Sequence, residues 1–228
     1  MTSESFTAWL IHKQASGDTS SRLTLFTQEK GIVRCLFRGG RTLKKQAALQ
    51  LFAPLWVEMN NRSYGYFINK IECSSSSPIL SSTNLFTALY VNELIYHTVK
   101  PLDALPDLYE AYQYTMQALS VVKERLAIEA VLRQFEWQLL ASCGVLCSFE
   151  QEAHNSRLIE PGLFYQYRPA QGFVRSPQGL PGGDILSMAH RKLDTPAVLK
   201  TAKIIMRQAI DHLLAGKVLK SRSLFKKI

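Results

Sequence analysis

No uninterrupted apolar stretch among these 228 residues approaches the ~18–20 needed to cross a bilayer as a helix. The opening MTSESFTAWLIHK lacks the basic start, apolar run and small-residue cleavage site of a secretory signal, so a cytosolic protein with no membrane partner is expected. Cysteine is scarce: Cys35, Cys73, Cys143 and Cys147 are too few and too scattered for a disulfide framework, and reduced thiols are the plain reading. Recognisable catalytic signatures are missing too. There is no G-x-x-x-x-G-K-[ST] loop, no H-E-x-x-H and no G-x-S-x-G. Pro181-Gly182-Gly183-Asp184 is glycine-rich but has no following lysine, and reads as a turn before a helix. The five histidines (His12, His97, His154, His190, His212) are dispersed, with no companion carboxylates at recognisable spacing. A non-enzymatic role without a cofactor is the expectation.

Acid is also in short supply, and unevenly so. Against 27 Lys and Arg stand 18 Asp and Glu, a formal charge of +9. Residues 1–80 carry ten bases and five acids, residues 101–160 four and nine, and residues 191–228 ten and two. A chain basic at both ends and acidic in its middle has a directional field that draws polyanions to its ends, and nucleic acid is the commonest of these.

What is present divides by period. Phe6–Lys13, Arg22–Thr27, Ile32–Phe37, Leu51–Met59 and Tyr64–Ile71 are short apolar runs parted by polar turns. Gly31 is placed to take a positive φ between the second and third. Five such strands suggest a small closed barrel, because closure removes exposed edges. Ser74–Thr83 (SSSSPILSST) breaks the composition and marks a boundary between domains. Helical spacing follows. Leu85, Leu89, Val91, Leu94 and Ile95 form one stripe. Pro106 opens a second helix carrying Leu108, Tyr112, Thr115, Met116 and Leu119. Ile128, Val131, Leu132, Phe135 and Leu139 mark a third, stopped at Gly144. Thr195 with Pro196 caps a last helix running to about Leu214. Residues 145–183, with Pro161, Pro169, Pro177 and Pro181, read as irregular.

Three stretches in register resemble the RecO family of bacterial recombination mediators. They are FRGGRTLKKQAALQLFAPL (Phe37–Leu55), LYVNEL (Leu89–Leu94) and LAGKVLKSRSLF (Leu214–Phe225), and the resemblance spans nearly the whole chain. It implies an α+β protein in three parts: an OB-fold barrel over residues 1–80, a helical bundle over 81–144 and 184–228, and a small inserted module over 145–183. It also implies binding to single- and double-stranded DNA and annealing of complementary strands. Partners so implied are RecR, with which the family loads RecA, and the acidic, phenylalanine-ending tail of single-stranded-DNA-binding protein.

Candidate residues follow from charge and resemblance together. Lys30, Arg34, Arg38, Arg41, Lys44 and Lys45 form a stretch without an acid. Arg34 and Arg38 are expected on or at the end of one strand, with Arg41, Lys44 and Lys45 on a mobile loop after Gly39-Gly40, all suited to phosphates. The bland alternative is a solvated charged loop. Phe37, Phe52 and Phe67 are expected in the core, leaving Tyr64 and Tyr66 to stack on bases. Lys217, Lys220 and Arg222 match the G-K-x-L-K-S-R that the family carries near its C-terminus and are expected to extend the DNA path, with Lys226 and Lys227 fraying. Arg133 stands where the family has a basic residue, which implies contact with the partner tail; the alternative is an ion pair with Glu129 or Glu136 at helical spacing. Some members carry a four-cysteine zinc module after the third helix. Here only Cys143 and Cys147 remain, with His154 a third donor and no fourth, so no metal is expected. A protein-interaction adaptor and an RNA-binding OB module stay open beside the DNA reading.

Overall fold

The computed structural model describes residues 3–75 and 77–227, and the side chains of Lys226 and Lys227 lie outside that description. The first five strands are β1 (Ser3–Ser16), β2 (Ser20–Thr27), β3 (Gly31–Phe37), β4 (Pro54–Arg62) and β5 (Gly65–Cys73). They close into a barrel in the order β1-β2-β3-β5-β4, and the helix α1 (Leu43–Ala48) lies between β3 and β4. This is the OB fold. Every neighbouring pair is antiparallel except β3 and β5, which meet in parallel at Cys35–Tyr66 and Leu36–Phe67. Alternate residues fill the interior: Leu10, Leu23, Leu25, Val33, Leu55 and Val57 are fully buried, each worth about 1.5–3 kcal/mol by transfer.

Two local expectations change. Lys44 and Lys45 lie on α1 rather than a mobile loop, and Leu51–Ala53 form a turn, so β4 starts only at Pro54. Gly31 does take a positive φ, +61°. Gly40 has a different task from flexibility. A Cβ there would stand 2.9 Å from the Phe37 ring and 3.1 Å from Ser21 Cβ, so the turn after β3 is packed tightly against β2.

Helices α2 (Ser82–Thr98), α3 (Pro106–Val121), α4 (Arg125–Ser142), α5 (Gly182–Ala189) and α6 (Pro196–Leu214) follow, and residues 220–227 form a 3-10 helix. Thr195 caps α6 as expected, its side chain accepting from Val198 N–H, and Gly144 follows α4 with φ +69°. In α2, burial runs almost all round (Asn84, Thr87, Ala88, Tyr90, Val91, Asn92, Leu94, Ile95), whereas the expected stripe members Leu85 and Leu89 are only half-buried.

Contacts group the chain into two compact units, residues 1–116 with 219–228 and residues 117–218. The division falls inside α3 rather than at Ser74–Thr83. In the first unit Ala8–Ile11 of β1 and Leu23–Thr27 of β2 are buried on both faces. Trp9 meets Tyr112 edge-on at 5.3 Å between centroids, and Phe26 meets Tyr109 at 5.4 Å and Tyr112 at 5.9 Å. The Tyr112 hydroxyl donates to Asn92 Oδ1 at 2.8 Å.

In the second unit α4 and α5 pack on α6. The stretch expected to be irregular holds a three-stranded sheet of β6 (Phe164–Arg168), β7 (Gly172–Ser176) and β8 (Leu180–Pro181), ordered β7-β6-β8. Strands this short leave too little period to read between four prolines. Rings form the interior of this module: Trp137 and Phe149 lie 4.3 Å apart, Phe149 and Phe173 5.0 Å, Phe173 and Tyr167 5.3 Å. Burial pushes the Cys147 thiol up to about 11. Among the described residues no three of His, Cys, Asp or Glu lie close enough to hold a metal ion. No helix among them is long and apolar enough to cross a membrane.

Candidate nucleic-acid interface

Strand alternation turns one face of the barrel outward across β2, β3, β5 and β4. Leu23 and Leu25 point inward, so Arg22 and Thr24 point out; Cys35 points inward, so Arg34 and Leu36 point out. Cross-strand register then sets Arg22, Leu36, Phe67 and Asn60 in one row. Arg34 flanks that row through its pairing with Thr24. Arg38, one residue beyond β3, places its guanidinium 5.4 Å from the Phe67 ring centre, and Arg62 at the end of β4 reaches the same ring at 5.5 Å. Arg22, Arg34, Arg38 and Arg62 are all exposed. Two guanidinium groups therefore flank the Phe67 ring, with Arg22 and Arg34 exposed on neighbouring strands of the same face.

The turn after β3 adds to it. Arg41 Nη1 donates to Gly17 O at 2.9 Å, and its backbone N–H donates to Thr19 O. Lys45 Nζ donates to Arg38 O at 2.8 Å and stands 4.8 Å from the Phe37 ring centre. Both side chains remain exposed, as does Lys44. Arg34, Arg38, Arg41 and Lys45 are thus gathered by β3 and the turn that closes onto α1. Lys30 is different: it pairs with Glu4 and lies over Phe6 and Tyr66. The hydrogen bond to Glu4 raises its pKa against the opposing effect of burial, and that internal partner already balances its charge.

Aromatic expectations resolve unequally. Phe37 and Phe52 are buried. Phe67 is not in the core but half-buried on the outer face, because its neighbour Ile68 takes the inward position. Tyr66 packs against the core, and Tyr64, 89% exposed at the β4–β5 turn, keeps an open ring. Arg22, Arg62 and Phe67 are the residues that sequence reasoning left out of this face. Counting alternately from Ile68 would have placed Phe67 outward.

Lys217 belongs to the second compact unit and Lys220 and Arg222 to the first. Glu93, from the LYVNEL stretch on α2, caps the 3-10 helix. Its carboxylate accepts from Lys220 N at 2.8 Å and Ser221 N at 2.9 Å, and from the Ser221 hydroxyl. Phe225 sets its ring against Phe86 and Tyr90. Two of the quoted motifs are therefore halves of one contact. Burial pushes the Glu93 carboxyl up, but the Ser221 and Lys220 hydrogen bonds outweigh it and hold the group below the usual carboxylate range. A depressed carboxyl stabilises above its unfolded pKa of about 4.3, and the contribution is lost as pH falls through the lower folded value. Glu93→Ala is expected to expose the segment around Lys220 and Arg222 to trypsin at neutral pH, at a cost of about 1–3 kcal/mol. Timed digestion with mass spectrometry checks this, and an unchanged cleavage pattern would show the cap to be dispensable.

Arg133, the expected tail-binding cation, is 8% exposed, with Nη1 2.7 Å from Glu136 Oε2. The alternative at helical spacing describes this placement: a buried ion pair within α4.

Comparison with known proteins bears on the whole chain. The family profile "Recombination protein O N terminal" matches residues 1–77, and "Recombination protein O C terminal" matches residues 81–223. The chain belongs to the RecO family. The "DNA repair protein RecO" of Legionella pneumophila (strain Lens) is 50% identical over 226 residues, 99% of each chain. That of Psychromonas ingrahamii is 33% identical over 234 residues, again 99% of each. That of Marinobacter nauticus is 31% identical over 226 residues, covering 96% of this chain and 92% of the relative. The first profile covers the barrel with its exposed arginines. The second takes in both Glu93 and Ser221.

Proposed function

We propose that this RecO-family protein is a non-enzymatic DNA mediator. It binds single- and double-stranded DNA through the outer barrel face, anneals complementary strands, and acts with RecR to load RecA onto DNA covered by single-stranded-DNA-binding protein. The observation that carries the reading is the set of exposed arginines on this face: Arg38 and Arg62 flank Phe67, Arg22 lies in the same row, and Arg34, Arg38, Arg41 and Lys45 come from a stretch, Lys30 to Lys45, that holds no acid. Guanidinium groups on a rigid sheet neutralise phosphates without reading sequence. Two strands so neutralised repel each other less, and base complementarity supplies the specificity that the protein does not.

Fluorescently labelled single strands mixed with their complements test this directly. Annealing is expected to accelerate at low salt and to slow steeply as salt rises, in parallel with binding. Binding without acceleration would remove annealing from the account. Absence of binding even at low salt would leave a protein adaptor whose charge serves solubility.

A further inference from the structure

Phe67 is the one aromatic ring among the described residues that two guanidinium groups approach, Arg38 at 5.4 Å and Arg62 at 5.5 Å. It stands between Leu36 of β3 and Asn60 of β4, and Arg22 lies one strand further along the same row, roughly 10 Å from it at ~4.8 Å per strand. The core makes little use of this ring, since Ile68 occupies the inward position beside it. The setting of the ring has the two parts that single-strand recognition requires, a π-face for a base and cations for the phosphates on either side.

Trp56 supplies the contrast. Lys70 lies 5.4 Å from its ring centre, but Glu72 is its cross-strand partner and pairs with that lysine. Glu58 follows two residues along, its carboxylate held by Ser3 and Asn69. Carboxylates there repel a phosphate backbone. The cation-rich surroundings belong to Phe67.

We infer that Phe67 is a base-stacking platform and gives the barrel face its preference for single strands over duplex. This rests on the reading that the face binds DNA. In a duplex the base faces are already stacked on one another, so only the arginines of this face engage it. In a single strand a base is free to lie on Phe67 while its flanking phosphates take Arg38 and Arg62, whose guanidinium groups leave the ring for them.

The test measures binding of the full chain to a short thymidine oligonucleotide, to an abasic strand of the same length and to a duplex, by fluorescence anisotropy in one buffer. Phe67→Leu keeps an apolar side chain beside Leu36 and removes the π-face; an unchanged melting curve shows that it is folded. It is expected to weaken thymidine-strand binding about 5- to 100-fold, with duplex and abasic-strand binding changed by less than about twofold. Phe67→Trp is expected to restore the thymidine strand, and Trp56→Ala to leave all three ligands unaffected. Equal loss for all three ligands in Phe67→Leu, or no loss for any, overturns the platform while leaving DNA binding in place. Failure of the unaltered protein to bind any of the three overturns the DNA reading itself.

Discussion

Replacing Arg38 and Arg41 together by alanine is expected to weaken binding to every DNA sequence by about 10- to 100-fold near 0.1 M salt, and to flatten the salt slope by about 2. Each lost phosphate contact forgoes the release of about one condensed counterion, so the effect grows as salt is lowered and carries no sequence preference. Arg41 also donates to Gly17 O, and its loss loosens the turn as well as removing charge. The pair Arg22→Ala with Arg34→Ala leaves that hydrogen bond intact and is expected to act in the same direction. Salt titrations of both double variants check the result. Unaltered affinity and slope in both would exclude this face as the DNA site.

Phe26→Ala is expected to lower stability by about 3–5 kcal/mol, the usual cost of emptying a fully buried aromatic site. Phe26 has no exposed surface and touches the rings of both Tyr109 and Tyr112, so the cavity opens between β2 and α3. Tyr112 is itself wholly buried, and burial pushes its hydroxyl pKa far above the ordinary tyrosine range. Chemical denaturation followed by near- and far-ultraviolet circular dichroism measures the loss. Barrel and α3 signals should fall in one transition at a lower midpoint. Separate transitions, or a change under about 1 kcal/mol, would show that the barrel does not depend on this helix.

That dependence explains why the composition break and the division by contacts fall in different places. Ser74–Thr83 is polar and marks where strand period ends, and the two family profiles also meet there, at residues 77 and 81. Yet Trp9 and Phe26 face away from the barrel interior and are covered by α3. Local composition reports chain flexibility; burial of a second sheet face is a matter of which distant helix arrives to cover it.

The residues of the interface show the same split. The acid-free run of bases, five strands by their alternation, the cap at Thr195 and the turn at Gly31 are local properties, set by side-chain period, backbone sterics and charge within a few residues. So is the likeness of three motifs to the RecO family. Tertiary structure alone decided the rest. Closing the barrel set Arg22 in one cross-strand row with Phe67, 45 positions away in sequence and two strands away in the sheet. Packing of α4 turned Arg133 from a surface cation into half of a buried pair with Glu136. Glu93 found its partner at Ser221, across 128 positions, where no period or spacing could announce it. Sequence by itself determined the five barrel strands, the longer helices and where positive charge gathers, because those depend on neighbours along the chain. Which cations stay exposed, which ring meets them and which motif caps which helix depend on neighbours in space, and folding alone supplies those.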